Sequence, residues 1–189
     1  MNLRKMHRKL APILFAPLLL TALTGIAYRI GRSWFGLSDE FGEFMMTMHE
    51  GRFLGKPIVP MYVLVVGLGL LGMIISGITL MKRRKKVDSP ASQKLNDRKL
   101  HQTVALIGFL PFTVSATTGI AYRLGRAWFN LSSDQASMLL KIHQGSYLGS
   151  TFRPFYVLLV GASLIIMLIT GIQMSGILRK KRAQPSELS

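Results

Sequence analysis

Residues 10–27 read LAPILFAPLLLTALTGIA and residues 104–121 read VALIGFLPFTVSATTGIA. Neither stretch contains a charge, and both close on the same Thr-Gly-Ile-Ala. A bilayer core about 30 Å thick is crossed by about 20 helical residues. The apolar blocks 10–27, 58–81, 102–121 and 155–178 all approach that length without an Asp, Glu, Lys or Arg. Lipid offers no partner to a peptide group, so a spanning block must satisfy its own backbone as a helix. The expected fold is therefore an all-α membrane protein of four transmembrane helices.

The likeness of the two opening blocks extends through the chain. A shift of 94 positions, without a gap, lays Arg4-Lys5-Met6-His7 on Arg98-Lys99-Leu100-His101. It lays Thr24-Gly25-Ile26-Ala27-Tyr28-Arg29 on Thr118-Gly119-Ile120-Ala121-Tyr122-Arg123. Met48-His49-Glu50-Gly51 falls on Ile142-His143-Gln144-Gly145, and Pro60-Met61-Tyr62-Val63 on Pro154-Phe155-Tyr156-Val157. The chain reads as a duplicated two-helix hairpin. Residues 1–86 form the first repeat, 87–97 a cytoplasmic linker, 98–182 the second repeat and 183–189 a tail.

The formal net charge is +16, from 24 Lys+Arg against 8 Asp+Glu. In a soluble protein that excess would suggest nucleic acid. Here it is distributed as a topology signal. Arg4, Lys5, Arg8 and Lys9 precede the first span, eight basic residues lie in 82–100, and four lie in 179–182. The connections 28–57 and 122–154 hold the remaining basic residues together with five acids. The positive-inside rule places both termini and the linker in the cytoplasm. Each hairpin then runs in-out-in, and the repeats are related by a pseudo-twofold axis along the membrane normal. The opening residues also mimic a secretory signal. Their copy in the second repeat must be a span, so residues 1–27 are read as retained. Membrane lipid is the expected surrounding and nucleic acid is not an expected partner. Cysteine is absent, which excludes disulfides and thiolate ligation.

Within the outer connections, residues 39–51 read as a short amphipathic helix. Phe41, Phe44, Met45 and Met48 form its apolar stripe. Ser38 is its N-cap, and Ser132 with Gln135 makes a capping box in the second copy. Gly51 and Gly145 are natural helix stops.

The chain has four histidines, His7, His49, His101 and His143, in two repeat-matched pairs. His7 and His101 begin spans 1 and 3, while His49 and His143 precede spans 2 and 4. About 30 Å of helix separates the two levels, so His7 pairs with His101 and His49 with His143. The plain reading is inert interfacial histidines in a duplicated chain. Two matched pairs and no others favour function. Zinc structural sites want four N or S ligands, and each level offers two. Two opposed imidazoles suit the axial positions of a haem iron. Ala11 and Ala105, one turn beyond the inner histidines, leave room for a flat macrocycle or merely allow close helix packing. Arg29, Arg32, Arg123 and Arg126 suit haem propionates or lipid phosphate. Arg4, Lys5, Arg98 and Lys99 suit the inner level or serve topology alone. Tyr28, Trp34, Tyr122 and Trp128 read as an interfacial belt. Gly67-Leu68-Gly69-Leu70-Leu71-Gly72 matches a dinucleotide fingerprint but sits inside a span, so it reads as helix packing. The Met45, Met46 and Met48 cluster has Leu139, Leu140 and Ile142 as its copy, so it reads as packing too.

An Arg-Lys-x-His start, a span ending Thr-Gly-Ile-Ala-Tyr and a second histidine in the outer connection resemble the PepSY-associated transmembrane helix family. That resemblance implies bacterial haem-b membrane proteins, some of them ferric-siderophore reductases. Members often carry a large periplasmic PepSY domain between spans, and these short connections have no room for one. The combined expectation is a di-haem b-type cytochrome in the bacterial inner membrane, holding two haem b groups. The inner haem falls to His7 and His101, the outer to His49 and His143. Electrons would pass from a quinol or cytoplasmic reductant to a ferric siderophore or other extracytoplasmic acceptor. Whether that makes the chain an oxidoreductase or a pure carrier stays open. Two other classes compete: a non-redox scaffold or assembly subunit, and a metal-ion carrier or sensor using the histidines directly. A photosynthetic membrane and another tetrapyrrole remain the alternative setting.

Overall fold

The structure is a computed structural model that describes residues 2–82 and 92–175. The basic runs 83–86 and 179–182 and the tail 183–189 lie outside the described residues. Six α-helices and two short 3-10 turns make up the described chain, with no strand among those residues. They are α1 (Leu3–Trp34), α2 (Asp39–Glu50), α3 (Val59–Lys82), α4 (Ser92–Trp128), α5 (Ser133–His143) and α6 (Gly149–Ser175). The 3-10 turns Arg52–Leu54 and Ser146–Leu148 follow α2 and α5. Four helices are long and apolar enough to cross a membrane: α1, α3, most of α4, and α6 with the turn before it.

The spanning helices outrun the apolar blocks. The charged residues that flank each block continue the helix, because a helix is limited by its caps and not by lipid. Asn2 caps α1, its side chain accepting from the Arg4 amide at 3.1 Å. At the far end, the amide of Leu37 bonds back to Gly31 at 3.0 Å, and that of Leu131 to Gly125 at 2.9 Å. Both turns need a left-handed residue, supplied by Gly36 in one copy and Asn130 in the other. Asparagine is the side chain that tolerates that conformation best. Helix α4 begins at Ser92, within the segment read as linker.

Helix α1 packs on α3 and α6, and α4 packs on the same two. Thus α1 and α4 stand across the bundle from each other. The repeats interlock through glycines. A Cβ at Gly67 would come within 2.6 Å of Ile120, and one at Gly161 within 2.6 Å of Ile26. Gly69 packs as closely on Leu14 within the first repeat, while Gly72 meets nothing within 4 Å. Gly67 and Gly69 of the dinucleotide-like string are therefore a packing surface.

Helices α2 and α5 lie against α1 and α4, at the end of the bundle opposite the start of α1 and the end of α6. Ser38 caps α2 and accepts from the Phe41 amide, and the Ser132–Gln135 capping box starts α5. Gly51 and Gly145 take the left-handed conformation just after the histidines, at φ 71° and 66°. A side chain at either would also collide with Tyr62 or Tyr156. These stops fix where each histidine leaves its helix.

Candidate functional site

His49 stands in the last turn of α2 and reaches into α1. Its Nδ1 lies 2.9 Å from the main-chain oxygen of Thr21. His143, in α5, repeats this with Ser115 of α4, also at 2.9 Å. A carbonyl only accepts, so each Nδ1 carries the proton and each Nε2 keeps its lone pair. Access to these carbonyls comes from the next turn. Gly25 and Gly119 lie four residues on, on the same face, and a Cβ there would stand 3.1 and 3.2 Å from the imidazole Cε1. The repeated Thr-Gly motif thus opens a notch into which the ring fits.

The His49 and His143 rings meet edge-on, with centroids 6.4 Å apart and planes inclined at 73°. Two imidazoles sharing one metal through bonds of about 2.0 Å stand about 6 Å apart by their centres. Burial, then the neighbouring His143, holds His49 down to about 4, and burial lowers His143 as well. Both rings are neutral near pH 7, the form that ligates metal.

A cavity of about 240 Å³, open on one side, lies beside this pair and is lined by all six helices. Its wall is built in repeat-matched pairs, among them Ala22 and Ala116, Val66 and Val160, and Tyr62 and Tyr156. The lining is mostly apolar, with the polar groups gathered near the histidines. Such a space suits a flat, apolar ligand held at a few polar points. Among the described residues no group of three His, Asp or Glu could hold a metal ion. A metal between these imidazoles would take its other ligands from water or from a cofactor.

The second pair is prepared in the same way by different atoms. His7 Nδ1 lies 2.7 Å from Ser76 Oγ of α3, and His101 Nδ1 2.8 Å from Thr170 Oγ1 of α6. Each hydroxyl gives its own proton to a helix carbonyl, Ser76 to Met73 and Thr170 to Ile166. Each therefore accepts from Nδ1–H, and Nε2 is again free. His7 and His101 are near enough to interact electrostatically. Gly77 and Gly171 leave space beside them.

Residues 29–138, more than half of the chain, match the family described as the PepSY-associated TM region. The chain belongs to that family. No curated protein and no solved structure matches it. No large PepSY domain is evident in the 189 residues of this family member.

The arginines divide. Arg29 and Arg123 line the cavity. Arg29 Nη2 donates to Gln144 Oε1 at 3.0 Å, and Arg123 Nη2 lies 3.4 Å from Glu50 Oε2. Each contact crosses from one repeat to the other. Arg32 and Arg126 do not line the cavity; they close the helix ends by donating to the Leu37 and Leu131 carbonyls. Arg32 also pairs with Asp39. Arg4, Lys5 and Lys99 are exposed, while Arg98, Ala11 and Ala105 are half-buried. Trp34 and Trp128 are about half exposed, and Tyr28 and Tyr122 line the cavity. Met46 lines it too, opposite its copy Leu140.

Sequence reasoning passed over Ser76 and Thr170. The signal was present: two hydroxyls at matching places in largely apolar spans. It also passed over the Thr21 and Ser115 carbonyls, which no side chain announces, and over Arg153.

Proposed function

We propose that this chain is a di-haem b-type cytochrome carrying electrons across the bacterial inner membrane. The observation that carries the reading is the His49–His143 pair: two neutral imidazoles 6.4 Å apart, each with Nδ1 committed to a carbonyl and Nε2 free, beside an apolar cavity. When bound, haem b would supply the further ligands and a one-electron ferric–ferrous couple. His49 and His143 hold the outer group, His7 and His101 the inner one.

The protein's own part is positioning and tuning. The Nδ1–H bonds fix the tautomer and raise imidazole basicity. The glycine notches hold each ring in place, and the apolar wall excludes water. Along α1, 18 residues separate His7 from Gly25, about 27 Å at 1.5 Å per residue. The two levels therefore stand near opposite faces of a hydrocarbon core of about 30 Å. With the termini in the cytoplasm, a quinol or cytoplasmic reductant meets the inner level. A ferric siderophore or other extracytoplasmic acceptor meets the outer one.

The test is a reduced-minus-oxidised absorption spectrum of detergent-purified protein expressed with ample haem, with haem counted per chain. A bis-histidine b-type spectrum at about two haems per chain is expected. A colourless chain would overturn the reading in favour of a scaffold. Binding of free divalent metal without porphyrin would favour the metal-ion carrier.

A further inference from the structure

The cavity wall repeats between the two halves, but the charges around its two arginines, Arg29 and Arg123, do not; Arg52, Glu43 and Arg153 are not part of the wall itself. Around Arg123 the cations are matched. Glu50 Oε2 lies 3.4 Å from Arg123 Nη2 and 3.1 Å from Arg52 Nε, and Arg52 Nη1 bonds Glu43. Around Arg29 they are not. The places of Glu50 and Glu43 are taken by Gln144 and Ser137, and the place of Val59 is taken by Arg153. Arg29 and Arg153 are close enough for their charges to repel, and Arg29 also lies 5.4 Å from the Tyr28 ring centre. Among the described residues neither has an ion pair. Both bury an Nε–H that has no acceptor. Arg52 Nε also lacks a well-formed hydrogen bond, but it lies against the Glu50 carboxylate.

A buried guanidinium donor without an acceptor is costly, and two repelling arginines without an anion are costlier. The missing partner is an anion of about two charges, presented where Arg29 enters the cavity. Haem carries two propionates on one edge. A duplicated pocket offers that edge two equivalent places, and the charge difference chooses between them. We infer that Arg29 and Arg153 form a carboxylate site that fixes the orientation of the outer haem, with both propionates on the Arg29 side and none on the Glu50 side. The inference rests on the haem reading and extends it with a residue, Arg153, that has no counterpart in the first repeat.

The test uses the full chain carrying His7→Ala and His101→Ala, so that only the outer level titrates. Apo protein in detergent is titrated with haem and with haem dimethyl ester, followed by Soret absorbance. The chain is expected to prefer the free acid by about tenfold or more, as charged hydrogen bonds of this kind give. Arg29→Gln and Arg153→Val should each remove most of that preference, and Arg153→Lys should retain part of it. Arg52→Ser, on the opposite side, should leave it intact. Equal binding of the acid and the ester overturns the inference and leaves the haem reading standing; that result is also expected if these arginines hold lipid phosphate. Loss of the preference in Arg52→Ser alone overturns it as well. No Soret change with either porphyrin, in a chain of normal helicity, removes the haem reading and this inference with it.

Discussion

If the proposed haem reading holds, Ser76→Ala should loosen the inner haem without unfolding the bundle. Ser76 is 2% exposed, and its hydroxyl is the acceptor for His7 Nδ1–H at 2.7 Å. Alanine removes that acceptor and little volume. Met73 O, which the hydroxyl also touches, lies within α3 and keeps its helix partner. The single group left stranded is the His7 N–H. A buried donor without a partner costs about 1–3 kcal/mol. Loss of a metal ligand's outer hydrogen bond costs about 10- to 100-fold in affinity. At about 1.4 kcal/mol per tenfold, the two estimates agree.

The assay is transfer of haem from the His49→Ala/His143→Ala chain to a haem-scavenging protein, with and without Ser76→Ala. The midpoint potential gives a second readout. Without the Nδ1–H bond the imidazole is less basic and stabilises ferric iron less, so the potential should rise. Thr170→Val should do the same to a smaller degree, because His101 also lies by the Met167 carbonyl. Thr21→Val is the contrast. His49 takes the main-chain oxygen of Thr21, which valine keeps, so the outer potential, read in the His7→Ala/His101→Ala chain, should hold even though the Thr21–Tyr62 bond is lost. Unchanged affinity and potential in Ser76→Ala would refute the reasoning, as would an equal effect from Thr21→Val.

His7→Ala and His101→Ala should each abolish the same haem signal and leave the same second spectrum; two different surviving spectra would break the cross-repeat pairing. Gly119→Ala puts a Cβ 3.2 Å from His143 Cε1. Its melting temperature should hold or rise, since alanine favours helix by about 1 kcal/mol, while outer haem affinity falls about tenfold, as for a disturbed ligand shell. Wild-type binding there would show that the notch does not set the ring. Acid should destabilise the haem-free chain. Above pH 6.5 His49 is neutral folded and unfolded, but between 6.5 and about 4 the unfolded chain takes up a proton that the folded one refuses. Melting temperature should be level above pH 6.5 and fall below it; a rise on acidification would contradict a buried neutral histidine.

The spans and caps were legible because they rest on side-chain type: uncharged length for α1, α3, α4 and α6, Ser38 and Ser132 for the starts of α2 and α5. The pairing of His49 with His143 followed from the duplication, which converts sequence spacing into spatial opposition. What stayed hidden was direction. Arg29 and Arg32 are one turn apart and equally basic, yet one enters the cavity and the other closes a loop, because the Leu37 carbonyl needs a donor. Arg153 was invisible for a related reason. It has no copy, and its significance depends on two carboxylates that the second repeat lacks.

The two levels also reach one tautomer by unlike means, and this bears on what sequence can reveal. At the outer level the nearer acceptor is a helix carbonyl, with the Thr24 and Thr118 hydroxyls farther off at 3.4 and 3.3 Å, so residues 21 and 115 differ as Thr and Ser without touching the bond to histidine. At the inner level the acceptor is the side chain itself, joined for His101 by the Met167 carbonyl, and residues 76 and 170 differ only within the hydroxyl class. A carbonyl inside a helix cannot be lost by substitution, but it can be covered, so the constraint moves one turn on to Gly25 and Gly119. A hydroxyl can be lost, so the constraint stays on Ser76 and Thr170. The outer site should then tolerate substitution at its acceptor residue and fail at the glycine. The inner site should fail at the acceptor and tolerate a small side chain at Gly77 or Gly171, where an added Cβ would meet the imidazole at an ordinary 3.6 or 3.5 Å.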